Sequence, residues 1–244
     1  MNQEHQPATV VRRVCYNAGV KALATRARLI YRRLLAAYGE PTWRNPLPPL
    51  DELVSTILSQ NTNDANRDRA FARLKAMFAS WEAVRDAEPA RVIEAIRPAG
   101  LANQKGPRIQ AILQAISAQH GGLDLDFLRQ IPPDEVRQRL LAFKGIGPKT
   151  AAIVMLFSLD MPAFPVDTHI YRVCSRLGLL AANRTVTAAH HSLAALFAPE
   201  TYQTAHLNLI RHGRQTCHAR NPACESCVLL DICAFGQQRL SGSA

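Results

Sequence analysis

The sequence predicts an all-α protein. Apolar residues recur at three- and four-residue spacing along most of the 244-residue chain, the period of one helix face. No stretch alternates apolar and polar residues as a half-buried strand does. Glycine and proline fall where helices would stop or start, with Gly100 and Gly121 just past two expected ends and Pro133 at a beginning.

Residues 1–18 show no clear period and are expected to be mobile. Over 21–38, Leu23, Ala27, Ile30, Leu34 and Ala37 form the stripe of an amphipathic helix. Gly39 and Pro41 end it, and the loop TWRNPLPPL follows, stiffened by three prolines. A helix from Asp51 carries Leu53, Val54, Ile57 and Leu58 into the polar cluster SQNTND at 59–64. The next, about 64–78, sets Arg67, Arg69, Arg73 and Lys75 around Phe71, Leu74 and Phe78. Further helices are expected at about 80–87, 89–97, 104–119, 124–129 and 133–143, with Asp124 and Pro133 as starting residues. The connections are mostly short enough for a packed helical globule.

The net charge is +10 with a sequence pI near 9.8. Residues 1–44 hold eight basic side chains against Glu4 and Glu40, which is +6 of that total. Such an excess favours a polyanionic partner, because each neutralised phosphate releases condensed counterions. No apolar run approaches the ~20 residues needed to cross a bilayer. The N-terminus lacks the apolar middle of a signal peptide, so a cytoplasmic, nucleoid-associated location without a membrane is expected.

Chemistry concentrates in two places. The first is Lys144-Gly145-Ile146-Gly147, between two helical apolar segments. Both glycines permit backbone conformations closed to other residues, and Pro148 suits the first turn of the following helix. A small turn at a helix N-terminus brings backbone N–H groups and a positive dipole end to a phosphate, which grips a nucleic-acid backbone without reading bases. Lys149, two residues past the second glycine, reads as a phosphate contact or as a nucleophile. The helix dipole disfavours a cation there, and the same field with partial burial would favour the neutral amine, whereas a close carboxylate would favour the charged one. Asp167 lies eighteen residues on, either an ordinary N-cap for a helix over 168–177 or a functional carboxylate held by that cap.

The second place is a cysteine cluster, Cys217, Cys224, Cys227 and Cys233, spaced C-x6-C-x2-C-x5-C. In a reducing compartment such clusters mean metal more often than disulfides. Structural zinc usually takes two close pairs, and only Cys224 and Cys227 form one. Four thiolates from one short loop suit a 4Fe-4S cluster, with zinc as the alternative. Cys174 lies on an apolar helix face and reads as core, while Cys15 is uninformative.

Together KGIGPKTA (144–151), VDTHIYRV (166–173) and the cysteine loop (217–233) resemble the endonuclease III family of DNA glycosylases, with shorter matches at ILSQNTND (57–64) and AGLANQKGPRI (99–109). The resemblance implies two helical domains, 42–162 with the helix–hairpin–helix and 1–41 plus 163–244 with a 4Fe-4S cluster, and double-stranded DNA in the cleft between them. It implies an enzyme that removes oxidised pyrimidines and nicks the resulting abasic site; a monomer is the default expectation. By position, Lys149 would be the nucleophile and Asp167 the essential carboxylate. Lys144, Gly145, Ile146 and Gly147 would hold the DNA backbone. Gln60 would fill the space left by a flipped nucleotide and Leu101 would wedge beside it. Ala102 stands where relatives often carry a larger side chain, and the register of the polar loop gives Asn63 or Asp64 where some carry an aspartate. The rivals are a mismatch-specific adenine or thymine/uracil glycosylase, against which Lys149 argues, and a non-catalytic DNA-binding module.

Overall fold

The computed structural model describes residues 8–42, 46–181 and 184–242, with side chains described from residue 19 onward. Residues 1–7 and part of the proline-rich loop, for which expectations were stated above, lie outside the described residues. Two compact units emerge, one from Met1–Trp43 with Val166–Ala244 and the other from Arg44–Pro165. Among the described residues there is no strand, and no helix is long and apolar enough to cross a membrane.

Helix α1 (Ala8–Tyr38) begins thirteen residues before the expected start at Lys21. Its amphipathic part nucleates the helix: Ala27, Ile30 and Leu34 are buried. Each residue added ahead of an existing helix gains a hydrogen bond without a nucleation cost, so no apolar stripe is needed there. Gly39, at φ +72°, closes it with its N–H on Leu35 O at 2.8 Å.

The second unit contains α2 (Pro49–Leu58), α3 (Asp64–Met77), α4 (Trp81–Asp86), α5 (Pro89–Ile96), α6 (Ala102–His120), α7 (Pro133–Ala142) and α8 (Pro148–Phe157). Asn63 and Ser80 cap α3 and α4 through their side chains, while prolines open α2, α5, α7 and α8. The apolar faces meet in one core that includes Leu53, Ile57, Leu74, Ile96, Leu113 and Val154. Within it α2 packs on α8, and α6 packs on α4 and α5. The expected helix at 124–129 is instead a single 3-10 turn, Asp126–Gln130. The Asp124 carboxylate takes the N–H of Asp126 at 2.8 Å, a local turn that competes with helical pairing.

The first unit adds α9 (Thr168–Arg176), α10 (Val186–Ala194), α11 (Tyr202–Gln215) and α12 (Ala234–Leu240) to α1. Helix α11 packs against both α1 and α9. The cysteine loop runs from the end of α11 to the start of α12.

Candidate functional site

The hairpin joins α7 to α8. Phe143 and Ile146 are buried, and the Ile146 N–H closes the turn on Phe143 O at 3.0 Å. Ile146 therefore shapes the hairpin from inside, while Lys144 is exposed. Only one glycine needs its freedom: Gly145 is at φ +100°, whereas Gly147 has an extended φ of −96° that any residue adopts. A Cβ on Gly147 would meet nothing within 4 Å, so glycine there leaves a bare backbone surface. No side chain caps α8, which leaves its first-turn N–H groups to an outside acceptor such as a phosphate. Lys149 is the second residue of α8 and is exposed.

Two loops of the same unit carry the other expected residues. Gln60 follows the end of α2, half-buried, and its Oε1 accepts from Arg108 Nη1 at 3.1 Å. Arg108 also lies along the hairpin, since a Cβ on Gly145 would come 3.1 Å from Arg108 Cδ. Leu101 is 46% exposed and sits at φ +50°, ψ +32°, a left-handed conformation that strains a leucine. A large apolar side chain held outward on strained backbone is what a wedge requires. Asn63 is occupied as the α3 cap, accepting from Asn66 N at 2.8 Å, and Asp64 pairs with Arg67 at 3.1 Å. Sequence reasoning missed Arg108, whose only signal was its place in the 99–109 stretch.

In the other unit Asp167 is the N-cap of α9, accepting from Ile170 N at 2.8 Å. The cap uses Oδ1 and fixes the carboxylate at the helix entrance, as the N-cap reading expects. The same helix grips the cysteine loop. Arg172 donates to Cys217 O at 3.0 Å and to Gly213 O at 2.8 Å. Arg176 donates to His218 O at 2.7 Å and to the Cys217 Sγ at 3.2 Å. The loop thus braces the helix that presents Asp167. Arg26 from α1 adds bonds to Leu177 O and Ile232 O. Arg211 stacks on the Tyr38 ring and donates to Tyr38 O at 3.1 Å.

All four cysteines line one cavity, with walls from Val173, Leu177, Leu229 and Phe235. None of the four is in a disulfide. Among the described residues no three Cys, His, Asp or Glu side chains converge closely enough to hold one metal ion. Four thiolates around one cavity fit a cubane that sets one iron against each thiolate. N–H donors already face the sulfurs: Leu229 N to Cys227 and Gly236 N to Cys233, each at 3.4 Å. At Gly236 a Cβ would come 3.1 Å from Leu230 Cδ1 and into ordinary contact, at 3.7 and 3.8 Å, with the Cys233 and Cys224 sulfurs, so glycine there fits the close approach of Leu230 beside the cradle. Burial pushes the Cys227 and Cys233 thiols up, and their neighbours' charges push the same way, an arrangement that iron would relieve. His212, 1% exposed, has its pKa pushed down to about 4 by burial, so its ring is neutral. Its Nδ1 lies 3.0 Å from Tyr38 Oη and its Nε2 3.7 Å from Cys227 Sγ. The Cys174 thiol, buried and pushed well up, is core.

Residues 54–199 match the HhH-GPD superfamily base excision DNA repair protein family, and residues 217–233 match the iron-sulfur binding domain of endonuclease III. The chain is similar to endonuclease III of Sulfolobus acidocaldarius, 36% identical over 185 residues that make up 75% of this chain and 80% of that one. It is also similar to a putative DNA glycosylase of Arabidopsis thaliana, 43% identical over 143 residues, 58% of this chain. That match spans about half, 49%, of the plant protein. Among solved structures, a trapped covalent intermediate of endonuclease III with DNA superposes with a TM-score of 0.75 at 27% identity, covering 89% of this chain and 98% of that one.

Proposed function

The chain belongs to the HhH-GPD superfamily of base excision DNA repair proteins, with the iron-sulfur binding domain of endonuclease III at 217–233, and from that premise we propose that it removes oxidised pyrimidines from double-stranded DNA as a bifunctional N-glycosylase and AP lyase. The observation that carries the lyase half is Lys149, an exposed primary amine on the uncapped first turn of α8, directly behind the hairpin. A mismatch glycosylase or a passive binding module has no need of a nucleophile there. The trapped covalent complex of the similar endonuclease III supports the same chemistry.

The hairpin amides and first-turn N–H groups of α8 would hold phosphates, and Gln60 and Leu101 would enter the duplex as the damaged nucleotide leaves the stack. The Lys149 Nζ, once it has given up a proton, donates its lone pair to C1′. The C1′–base bond breaks, and the base departs with the electron pair of that bond and takes up a proton. Nζ then loses a proton, its lone pair forms the C=N bond as the C1′–O4′ bond breaks, and O4′ keeps that bond's electrons and takes up a proton, which leaves a protonated Schiff base on Nζ. Loss of a C2′ proton drives β-elimination, in which the 3′ phosphate leaves and the strand is cut. Asp167 would stabilise positive charge as it develops on the sugar and help move these protons. The cluster, when bound, supplies a rigid fold for the loop clamped by Arg172 and Arg176, with no redox step required. The reading takes the enzyme as a monomer.

Single-turnover assays on duplexes holding one thymine glycol or dihydrouracil test this proposal. Base release followed by strand cleavage is the expected result. Release of mismatched adenine, thymine or uracil with oxidised pyrimidines left intact would overturn the substrate class.

A further inference from the structure

Lys105 heads the fully buried side chains in size among the described residues, at 1% exposure, and no step proposed above uses it. A buried amine is costly unless its donors are satisfied. The Nζ donates to Leu58 O and to Ala99 O, both at 2.8 Å. Leu58 ends α2, and Ala99 ends the 3-10 turn Arg97–Ala99. Carbonyls at such ends lack partners inside the helix and carry its negative dipole end, so a lysine nitrogen is a fitting cap for each. Burial lowers its pKa, but both acceptors ask only for N–H groups, which either protonation state supplies.

The position of these two carbonyls in the chain is what gives them meaning. Leu58 lies two residues before Gln60, and Asn61 follows at φ +53°. Ala99 lies two residues before Leu101, with Gly100 at φ +67° and Leu101 at φ +50°. Left-handed residues other than glycine persist only where their surroundings hold them. One turn further along α6, Arg108 bonds to the Gln60 side chain at 3.1 Å and lies against Gly145. One face of α6 therefore reaches the roots of both loops and the hairpin.

We propose that Lys105 is a positioning residue for nucleotide extrusion, its Nζ tying the Gln60 loop to the Leu101 loop so that the two side chains enter the duplex as one rigid unit. The inference rests on the proposed function in taking those two side chains as the inserting ones. Lys105→Met removes both bonds with little change in volume, and Lys105→Gln keeps a donor on a shorter stem.

Extrusion is read by the fluorescence of 2-aminopurine placed beside a 2′-fluoro thymine glycol nucleotide, whose base must still leave the stack but resists excision. Thymine glycol release and cleavage of a pre-formed abasic site are measured alongside it. Both variants should lose most of the fluorescence rise and slow thymine glycol release about 10- to 100-fold, the scale of an ångström-level misplacement. Cleavage at the pre-formed abasic site should fall by less than about threefold, because no base has to be drawn from the stack. Leu128→Ala, a buried truncation in the same unit, should lower the melting temperature and leave the fluorescence rise and the ratio of the two rates as in the wild type. Wild-type fluorescence in both Lys105 variants overturns the proposal, as does an equal loss of both activities. Failure of both variants to fold would make Lys105 a folding residue and overturn it equally. A wild type that gives the fluorescence rise but leaves thymine glycol intact removes the substrate reading alone, and Lys105 is then judged by fluorescence.

Discussion

Alanine at Gly145 and alanine at Gly147 should fail in different ways, and the difference follows from two backbone angles. Gly145, at φ +100°, lies beyond even the left-handed helical region. A side chain there costs about 1–3 kcal/mol in backbone strain. The new Cβ would also stand 3.1 and 3.2 Å from Arg108 Cδ and Cγ. That side chain is flexible and shifts by a few tenths of an ångström, so strain dominates, and the Arg108 bond to Gln60 is disturbed as well. At roughly 2–4 °C per kcal/mol for a chain of this length, Tm should fall by about 2–12 °C. At Gly147 the φ of −96° is ordinary and a Cβ would meet nothing. Alanine there should leave Tm unchanged or raise it slightly, since the unfolded chain loses freedom. Its methyl group nonetheless covers the surface on which a phosphate would sit. Losing one hydrogen bond to a charged group removes about 1.5–3 kcal/mol, roughly 10- to 150-fold in Kd. Thermal melts and fluorescence anisotropy on undamaged duplex at one fixed salt concentration read both effects. Wild-type DNA affinity in Gly147→Ala refutes the hairpin as the phosphate grip. An unchanged Tm in Gly145→Ala refutes the strain.

Three further outcomes are expected. Asp167→Asn keeps an N-capping side chain and should hold Tm, yet slow base release; Asp167→Ala should in addition lose about 1 kcal/mol of stability with the cap. Normal single-turnover release by the asparagine variant returns Asp167 to a plain cap. Leu101→Gly relieves about 1–2 kcal/mol of left-handed strain against about 0.5–1 kcal/mol of extra chain entropy, so Tm should hold or rise while excision falls. Undiminished excision would remove Leu101 as the wedge. Cys227→Ser should lower bound iron and visible absorbance and open 217–233 to proteolysis; full iron retention would take Cys227 out of the ligand set.

Much of the site was legible because its chemistry depends on residue types with few other uses. Gly145 and Pro148 fix a turn and a helix start by backbone geometry alone, the cysteine spacing narrows the metal, and Asp167 ahead of 168–177 is a readable cap. The illegible parts depend on tertiary contacts. Lys105 reads as a surface lysine until the chain folds its Nζ onto Leu58 O and Ala99 O. The left-handed backbone at Leu101 has no signature in a leucine. The early start of α1 at Ala8 escapes any search for amphipathic period, because helix propagation needs no apolar stripe. The 3-10 turn at Asp126–Gln130 was lost to the competing side-chain bond of Asp124. Helices α10, α11 and α12 were expected only as unplaced members of a helical domain, although Thr185 caps the first of them.

Borohydride trapping addresses the central claim most directly. The substrate is duplex DNA with one thymine glycol, and wild type is run beside Lys149→Ala. A covalent protein–DNA band from the wild type alone is the predicted result, since reduction fixes the Schiff base on the Lys149 Nζ. An equal band from Lys149→Ala would contradict the assignment of the nucleophile. No band from the wild type, on thymine glycol or on a pre-formed abasic site, would contradict lyase chemistry itself.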